Sequence, residues 1–199
     1  MKRYRVNDMF YSLQGEGHNT GRAAVFIRFA GCNLNCAFCD TDFTSSEEMT
    51  EDEIVQRALL LCNEECGMMV VMTGGEPTLQ VDEALVEMFH DAGFEVAMES
   101  NGTHLPPTNL DWLTISPKGN FAVHRSQLAI HNCDEVKCVF DGKSEVDDFG
   151  IIAKYYYLQP CDVGDVLLNQ EIIDQCVDYI KRHPWWRLSL QTHKLAGFK

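Results

Sequence analysis

The sequence predicts an α/β fold: one domain over residues 1–199, with mainly parallel strands closing only part of a TIM-type barrel. Short, mostly apolar segments alternate with amphipathic helical patterns, which argues for parallel βαβ units with right-handed crossovers. The 199 residues fall short of the roughly 250 that a full eight-fold barrel takes. No repeat, low-complexity tract or linker divides the chain.

The expected strands are Ala23–Phe29, 68–72, 94–98, Trp112–Ile115 and 135–140, several of them bounded by turn residues. The clearest helix begins at Thr50, where Glu53 three residues on completes a capping box. Ile54, Ala58, Leu61 and Cys62 then recur at helical spacing to about Asn63. A second helix is predicted over 81–91, with Ala84, Leu85, Met88 and Phe89 on its apolar face. Gly93 stands where a left-handed cap would close it. A third, over 171–182, stops before Pro184. The later half shows fewer clear helices.

A formal charge of -14 and a pI near 4.8 argue against nucleic acid as a partner, because phosphate contacts need clustered Lys and Arg and no such cluster occurs. The first residues lack the apolar run of a signal peptide, and no uninterrupted apolar stretch approaches membrane-spanning length. The expectation is a cytoplasmic protein with no membrane partner. Nine cysteines, an odd count without an export signal, fit metal chemistry in a reducing compartment better than a disulfide framework.

Cys32, Cys36 and Cys39 place three thiols within eight residues, just after a predicted strand and Gly31. Three thiolates from one loop can hold a corner of a [4Fe–4S] cube, leaving the fourth iron open to substrate or cofactor. A zinc loop completed by His18 or His193 is the competing reading, although structural zinc favours four ligands at paired spacings.

With aromatic Phe38 before the last cysteine, and with Gly74-Gly75-Glu76-Pro77 after a strand, the chain resembles the radical S-adenosylmethionine superfamily. Glycines there let backbone approach a cofactor without an intervening side chain. Within it, Phe10 to Gly17, Gly21, Phe26-Ile27-Arg28, Cys39-Asp40-Thr41, Thr73 to Thr78, Glu99 to Thr103, Ser116-Pro117-Lys118 and Leu188 to Lys194 are similar to the 7-carboxy-7-deazaguanine synthase family. That likeness spans nearly the whole chain. It implies conversion of 6-carboxy-5,6,7,8-tetrahydropterin to 7-carboxy-7-deazaguanine with loss of ammonia, in queuosine and other 7-deazapurine biosynthesis. It also implies a regenerated S-adenosylmethionine, assisting Mg2+, a flavodoxin-like or other electron donor and a homodimer.

The resemblance assigns substrate contacts to Leu13, Gln14, Gly15, Glu16, Arg28 and Thr73, with Thr78 a weaker match. An Arg can clamp a substrate carboxylate with two parallel hydrogen bonds, and an amide with a carboxylate can read the donor-rich edge of an aminopyrimidinone. Phe38, Cys39, Asp40, Gly75, Glu76, Ser100, Asn101, Ser116, Pro117 and Lys118 match cofactor positions, Glu76 as an acceptor for the methionine ammonium. Thr41 matches the magnesium ligand, a hard oxygen suited to that ion.

The other residues receive plainer expectations. Cys62, Cys66, Cys133, Cys138, Cys161 and Cys176 read as buried neutral thiols or helix-end residues. His193 could approach substrate, although a lone histidine is more often structural. Trp185-Trp186 is expected in the core or a subunit contact. The family's C-terminus can approach substrate, but Lys199 here puts a basic residue where a small or apolar one is expected. Two rivals stay open: a glycyl-radical activase, which would not need residues 13–17 or Arg28, and a non-catalytic zinc or iron–sulfur module, against which residues 74–77 weigh.

Overall fold

The computed structural model describes residues 2–37, 39, 45–63, 67–119, 121 and 127–199. In chain order these form β1 (Tyr4–Leu13), β2 (Ala23–Phe29), β3 (Glu47–Met49), α1 (Glu51–Leu61), β4 (Met69–Gly74), a 3-10 turn (Pro77–Leu79), α2 (Glu83–Asp91) and β5 (Glu95–Ser100). There follow β6 (Trp112–Ile115), β7 (Asn132–Phe140), β8 (Ile152–Pro160), α3 (Val166–Arg182), β9 (Trp186–Leu188) and α4 (Thr192–Ala196). The described strands make one sheet in the order β3-β1-β2-β4-β5-β6-β7-β8-β9. From β2 to β9 every neighbouring pair is parallel, while β1 runs antiparallel to both β2 and β3.

The edge strands β3 and β9 do not pair with each other, so the sheet is an incomplete barrel of the kind the alternating pattern predicts. The C-terminal segment spans the gap instead. Gly17 N–H donates to Ser189 Oγ at 2.9 Å, Thr192 N–H to the Gly15 carbonyl at 3.0 Å, and Ser12 Oγ to the Lys199 carbonyl at 2.7 Å.

Strand periodicity divides the packing. Val25, Ile27 and Phe29 of β2, Val70 and Met72 of β4, and Val96 and Met98 of β5 point outward onto Ile54, Val55 and Ala58 of α1 and Leu85, Val86 and Phe89 of α2. Val136 and Cys138 of β7, Leu158 of β8 and Trp186 of β9 pack on Ile172 and Cys176 of α3. The inward face of the lower barrel carries Phe10, Ala24, Phe26, Met69, Val71 and Ala97. Truncating a buried anchor such as Phe89 to Ala would cost about 3–5 kcal/mol.

The Thr50 capping box forms as expected: Thr50 Oγ1 accepts Glu53 N–H while Glu53 Oε2 accepts Thr50 N–H at 2.7 Å. Gly93 takes the left-handed conformation, φ +84°, directly after α2. β1, β3, β8 and β9 do not appear among the expected strands. In β1 the polar Arg5, Asn7 and Asp8 break up the apolar pattern, and pairing with β2 over seven residue pairs makes the strand. α3 starts at Val166, five residues earlier than expected, because Asp165 caps Leu167 and Leu168 N–H. Val166 and Leu167 are over 80% exposed, so that first turn lacks an apolar face to read. Trp186 is buried and Trp185 exposed. Among the described residues, no helix is long and apolar enough to cross a membrane.

Candidate active site

The C-terminal ends of the parallel strands open into a cavity of about 450 Å³. β2 brings Arg28 to its wall, β4 brings Thr73 and Gly74, and β5 brings Glu99 and Ser100. β7 contributes Lys137, β8 contributes Gln159 and the end of β1 contributes Leu13, while Gln14, Gly15 and Glu16 enter from the loop after β1.

Cys32, Cys36 and Cys39 line the same cavity. Their loop is stitched to the glycine segment, since Gly75 N–H donates to the Phe29 carbonyl and Glu76 N–H to the Gly31 carbonyl, both at 2.9 Å. A Cβ on Gly75 would collide with that Gly31 carbonyl, so only glycine permits the approach. Cys39 N–H donates to the Cys36 carbonyl at 3.1 Å, folding the loop back on itself. Burial pushes the Cys32 and Cys36 thiols up from their ordinary value, so thiolates here require a cationic partner. Among the described residues no three His, Cys, Asp or Glu side chains converge as on a single ion. Three thiols that face one cavity from one loop could hold three corners of an iron–sulfur cube.

The sequence reading puts Glu76 at the methionine ammonium. It is fully buried and does not line the cavity. Its Oε1 accepts Thr78 N–H, Thr78 Oγ1–H and Ser100 Oγ–H, the last at 2.7 Å, and its Oε2 accepts Asn101 N–H at 2.7 Å. The carboxylate braces the glycine segment against the end of β5, leaving backbone to face a cofactor. Thr78 belongs to this brace. Ser100 and Asn101 line the cavity, yet Ser100 Oγ is engaged with Glu76 and with Gly102 N–H, and Asn101 Nδ2 donates to Asn33 Oδ1 at 3.0 Å. Ser116 and Lys118 line it too, with Lys118 Nζ donating to Ser116 Oγ at 2.7 Å, whereas Pro117 is buried behind them. Burial, with the charge of Lys137, lowers the Lys118 ammonium from its ordinary value. Phe38, Asp40, Thr41 and Cys66 lie outside the described residues.

The floor is a network of charge. Lys137 Nζ bridges Glu16 Oε2 at 2.6 Å and Glu99 Oε2 at 3.4 Å. Gln14 Nε2 donates to Glu99 Oε1 and Gln191 Nε2 to Glu16 Oε1, each at 2.9 Å. Burial opposes ionisation of Glu16, but Lys137 and the Gln191 amide outweigh it and hold the carboxyl down at about 2. Burial likewise opposes the Lys137 charge, and Glu16, Glu99 and Glu135 override it upward. Arg28 has no acidic partner among the described residues, and its guanidinium lies 5.4 Å from the Phe10 ring centroid.

Glu99, Lys137 and Gln191 were not assigned roles by sequence reasoning, although all three line the cavity, as does His193. Lys137 left a signal: it is a lone lysine set between apolar Val136 and Cys138 in the expected strand 135–140. His193 packs over Gly15, whose missing side chain makes the room. Cys161 is half-buried at the cavity wall, not a core thiol. Lys199 also reaches the wall, paired with Asp8 at 2.7 Å and lying over Phe10.

An open parallel barrel carrying three thiols beside a glycine segment, with polar groups gathered below, defines a radical S-adenosylmethionine protein. The model of the Radical SAM superfamily matches residues 26–120. Such proteins use a [4Fe–4S] cluster and S-adenosylmethionine and draw an electron from a reductant, and the three cavity thiols and glycine backbone fit those groups. The 7-carboxy-7-deazaguanine synthase of Bacteroides thetaiotaomicron is 44% identical over 98% of both chains, and that of Bradyrhizobium diazoefficiens is 39% identical over 98% of this chain and 99% of its own. The crystal structure of QueE from Escherichia coli superposes with a TM-score of 0.72 at 26% identity, covering 94% of this chain and 93% of that one. The chain therefore belongs to the 7-carboxy-7-deazaguanine synthase family.

Proposed function

We propose that the protein converts 6-carboxy-5,6,7,8-tetrahydropterin to 7-carboxy-7-deazaguanine with loss of ammonia, supplying queuosine and related 7-deazapurines. The observation that carries this reading is that Gln14, Glu16, Arg28 and Thr73 meet in the same cavity as the three cysteines and Gly75. A pterin needs an anion clamp at its carboxylate and acceptors at its amino-pyrimidinone edge, and this wall offers both.

Cys32, Cys36 and Cys39 would hold the cluster, with the Gly74-Gly75 backbone, Ser116 and Lys118 against S-adenosylmethionine. When bound, these groups supply the one-electron chemistry that opens the substrate ring to rearrangement. The chain's own residues do the rest. Arg28 holds the carboxylate end near the mouth of β2. Glu16, kept ionised by Lys137, and Gln14, held by Glu99, accept ring N–H groups at the other end. Fixing the pterin at both ends presents one carbon to the cofactor and shields it from water, so positioning carries much of the specificity.

In this reading Thr41 would supply a hard oxygen to a magnesium ion that assists substrate binding. Residues 1–199 act as one domain, the protein works in the cytoplasm as a homodimer, and a flavodoxin-like protein or another donor delivers the electron. Neither nucleic acid nor membrane takes part.

The test is to incubate the anaerobically reconstituted, reduced protein with S-adenosylmethionine, magnesium and 6-carboxytetrahydropterin, then to assay for 7-carboxy-7-deazaguanine by mass spectrometry. Product in excess of cofactor loss supports both substrate and regeneration. Cofactor cleavage without product would reject the substrate.

A further inference from the structure

The loop that forms the floor is itself held from below by residues that do not reach the cavity. Glu135 lies two positions before Lys137 on β7, so it points to the same inner face one layer down. It is 2% exposed, and its Oε2 accepts the His18 N–H at 2.8 Å. Its Oε1 occupies the space where a Cβ on Gly17 would fall, and Gly17 has φ +65°. Glycine there serves both the left-handed turn and the close approach of the carboxylate.

The His18 ring packs against Tyr155 of β8, at 4.1 Å between centroids, and against Trp112 of β6, at 4.9 Å, and those two rings lie 6.0 Å from each other. The Arg187 guanidinium lies over Tyr155 at 4.8 Å. The loop is thus gripped by β7 through a hydrogen bond and by β6 and β8 through stacking. A small void lined by Gln14, Glu16, Glu99 and Glu135, among others, lies between this grip and the floor. Gln14 and Glu16 border both spaces, so the position of the turn at 17–18 sets where they point.

A buried carboxylate is a poor choice for stability alone. Burial, with the charges of Glu99 and Glu16, pushes Glu135 up to about 7 against the opposing pull of Lys137 and the His18 N–H. A neutral apolar residue would pack the space without that burden but would leave the His18 N–H without this acceptor, which places the value of Glu135 in where it holds the loop.

We propose that Glu135 is a positioning residue for substrate recognition: with the His18 stack it clasps the turn after β1 and thereby aims Gln14 and Glu16 at the pterin ring. This rests on the reading of Gln14 and Glu16 as pterin contacts. Glu135 does not line the main cavity, so its removal acts on pterin affinity and spares the cofactor chemistry.

In the reconstituted holoenzyme, Glu135→Ala should raise the KM for 6-carboxytetrahydropterin by roughly tenfold or more while kcat stays within about threefold. The affinity measured by calorimetric titration with the pterin should fall by the same factor. The affinity for S-adenosylmethionine and the cluster absorption should not change. Glu135→Gln keeps an acceptor for the His18 N–H and should restore pterin affinity to within about threefold of wild type. Should Glu135→Ala not fold, His18→Ala, which leaves the backbone N–H in place but removes the stack, should show the same selective rise in KM. Wild-type pterin affinity in Glu135→Ala, or in His18→Ala should Glu135→Ala not fold, or loss of kcat and cofactor binding together, would overturn the proposal. Glu16→Gln separates the two layers of the argument. If it leaves pterin affinity unchanged, the floor reading itself fails; if it weakens binding while Glu135→Ala does not, only the clasp fails.

Discussion

Lys137 Nζ stands 2.6 Å from Glu16 Oε2, with the lysine side chain 6% exposed and the glutamate 16%. The pair joins β7 to the loop after β1 across 121 positions of sequence and supplies the counter-charge that keeps a cavity carboxylate ionised.

Lys137→Met should therefore do two things. Removing one partner of a buried pair strands the other, a cost of about 3–5 kcal/mol in unfolding experiments. Glu16 should also lose the charge that holds it low, so pterin affinity should fall more than affinity for S-adenosylmethionine. A variant with wild-type denaturation midpoint and pterin KM would show that the bridge carries neither load.

Cys36→Ala removes one of three thiols at the cavity. Reconstituted protein should lose the broad absorption near roughly 400 nm and most of its iron. Unchanged absorption and iron content would sink the cluster assignment.

Arg28→Ala should leave that absorption intact and lower kcat/KM for the pterin by roughly ten- to a hundredfold, the range for one charge-assisted contact. Arg28→Lys should recover only part of it, because an ammonium cannot reproduce the two-pronged geometry. Equal turnover in wild type and Arg28→Ala would remove Arg28 from the site.

Gly75→Ala forces a methyl group against the Gly31 carbonyl and so separates the thiol loop from the glycine segment. The expected result is a loss of about 1–3 kcal/mol in stability and weakened S-adenosylmethionine binding by equilibrium dialysis. Normal cofactor affinity would mean that the two loops can part without consequence.

The two inner carboxyls give stability opposite pH slopes. Glu135, raised from 4.5 to about 7, binds its proton more tightly in the folded state, so its contribution declines as pH rises from 4.5 through 7. Glu16, held at about 2, stabilises the fold above 4.5 and loses that contribution as pH falls toward 2. Glu135→Gln should flatten the decline between pH 5 and 7 by roughly 3 kcal/mol at most, measured by urea denaturation across that range. An unaltered pH profile would show that Glu135 titrates normally in the fold.

Local features were legible in the sequence because their physics is local. β2, β4, β5 and β6 are short apolar runs whose character does not depend on a partner, and the Thr50–Glu53 capping box closes within four residues. The three cysteines fall within eight positions on one loop, so their spacing alone suggests a shared site. β1 was not legible, since Arg5, Asn7 and Asp8 conceal a strand that exists through pairing with β2. The start of α3 was missed because its first turn projects Val166 and Leu167 into solvent.

The sequence by itself determined the alternating α/β plan, the thiol loop and the glycine segment, all set by side-chain chemistry within one turn or strand. Only tertiary structure decided which way the polar groups face. It turned Glu76 inward as a brace, set Lys137 between Glu16 and Glu99, and placed Glu135 under the turn at His18. The reason is physical: a carboxylate carries the same chemistry wherever it sits, and whether it meets a backbone N–H, an ammonium or a substrate depends on strands that lie far apart in sequence and become neighbours only when the sheet forms.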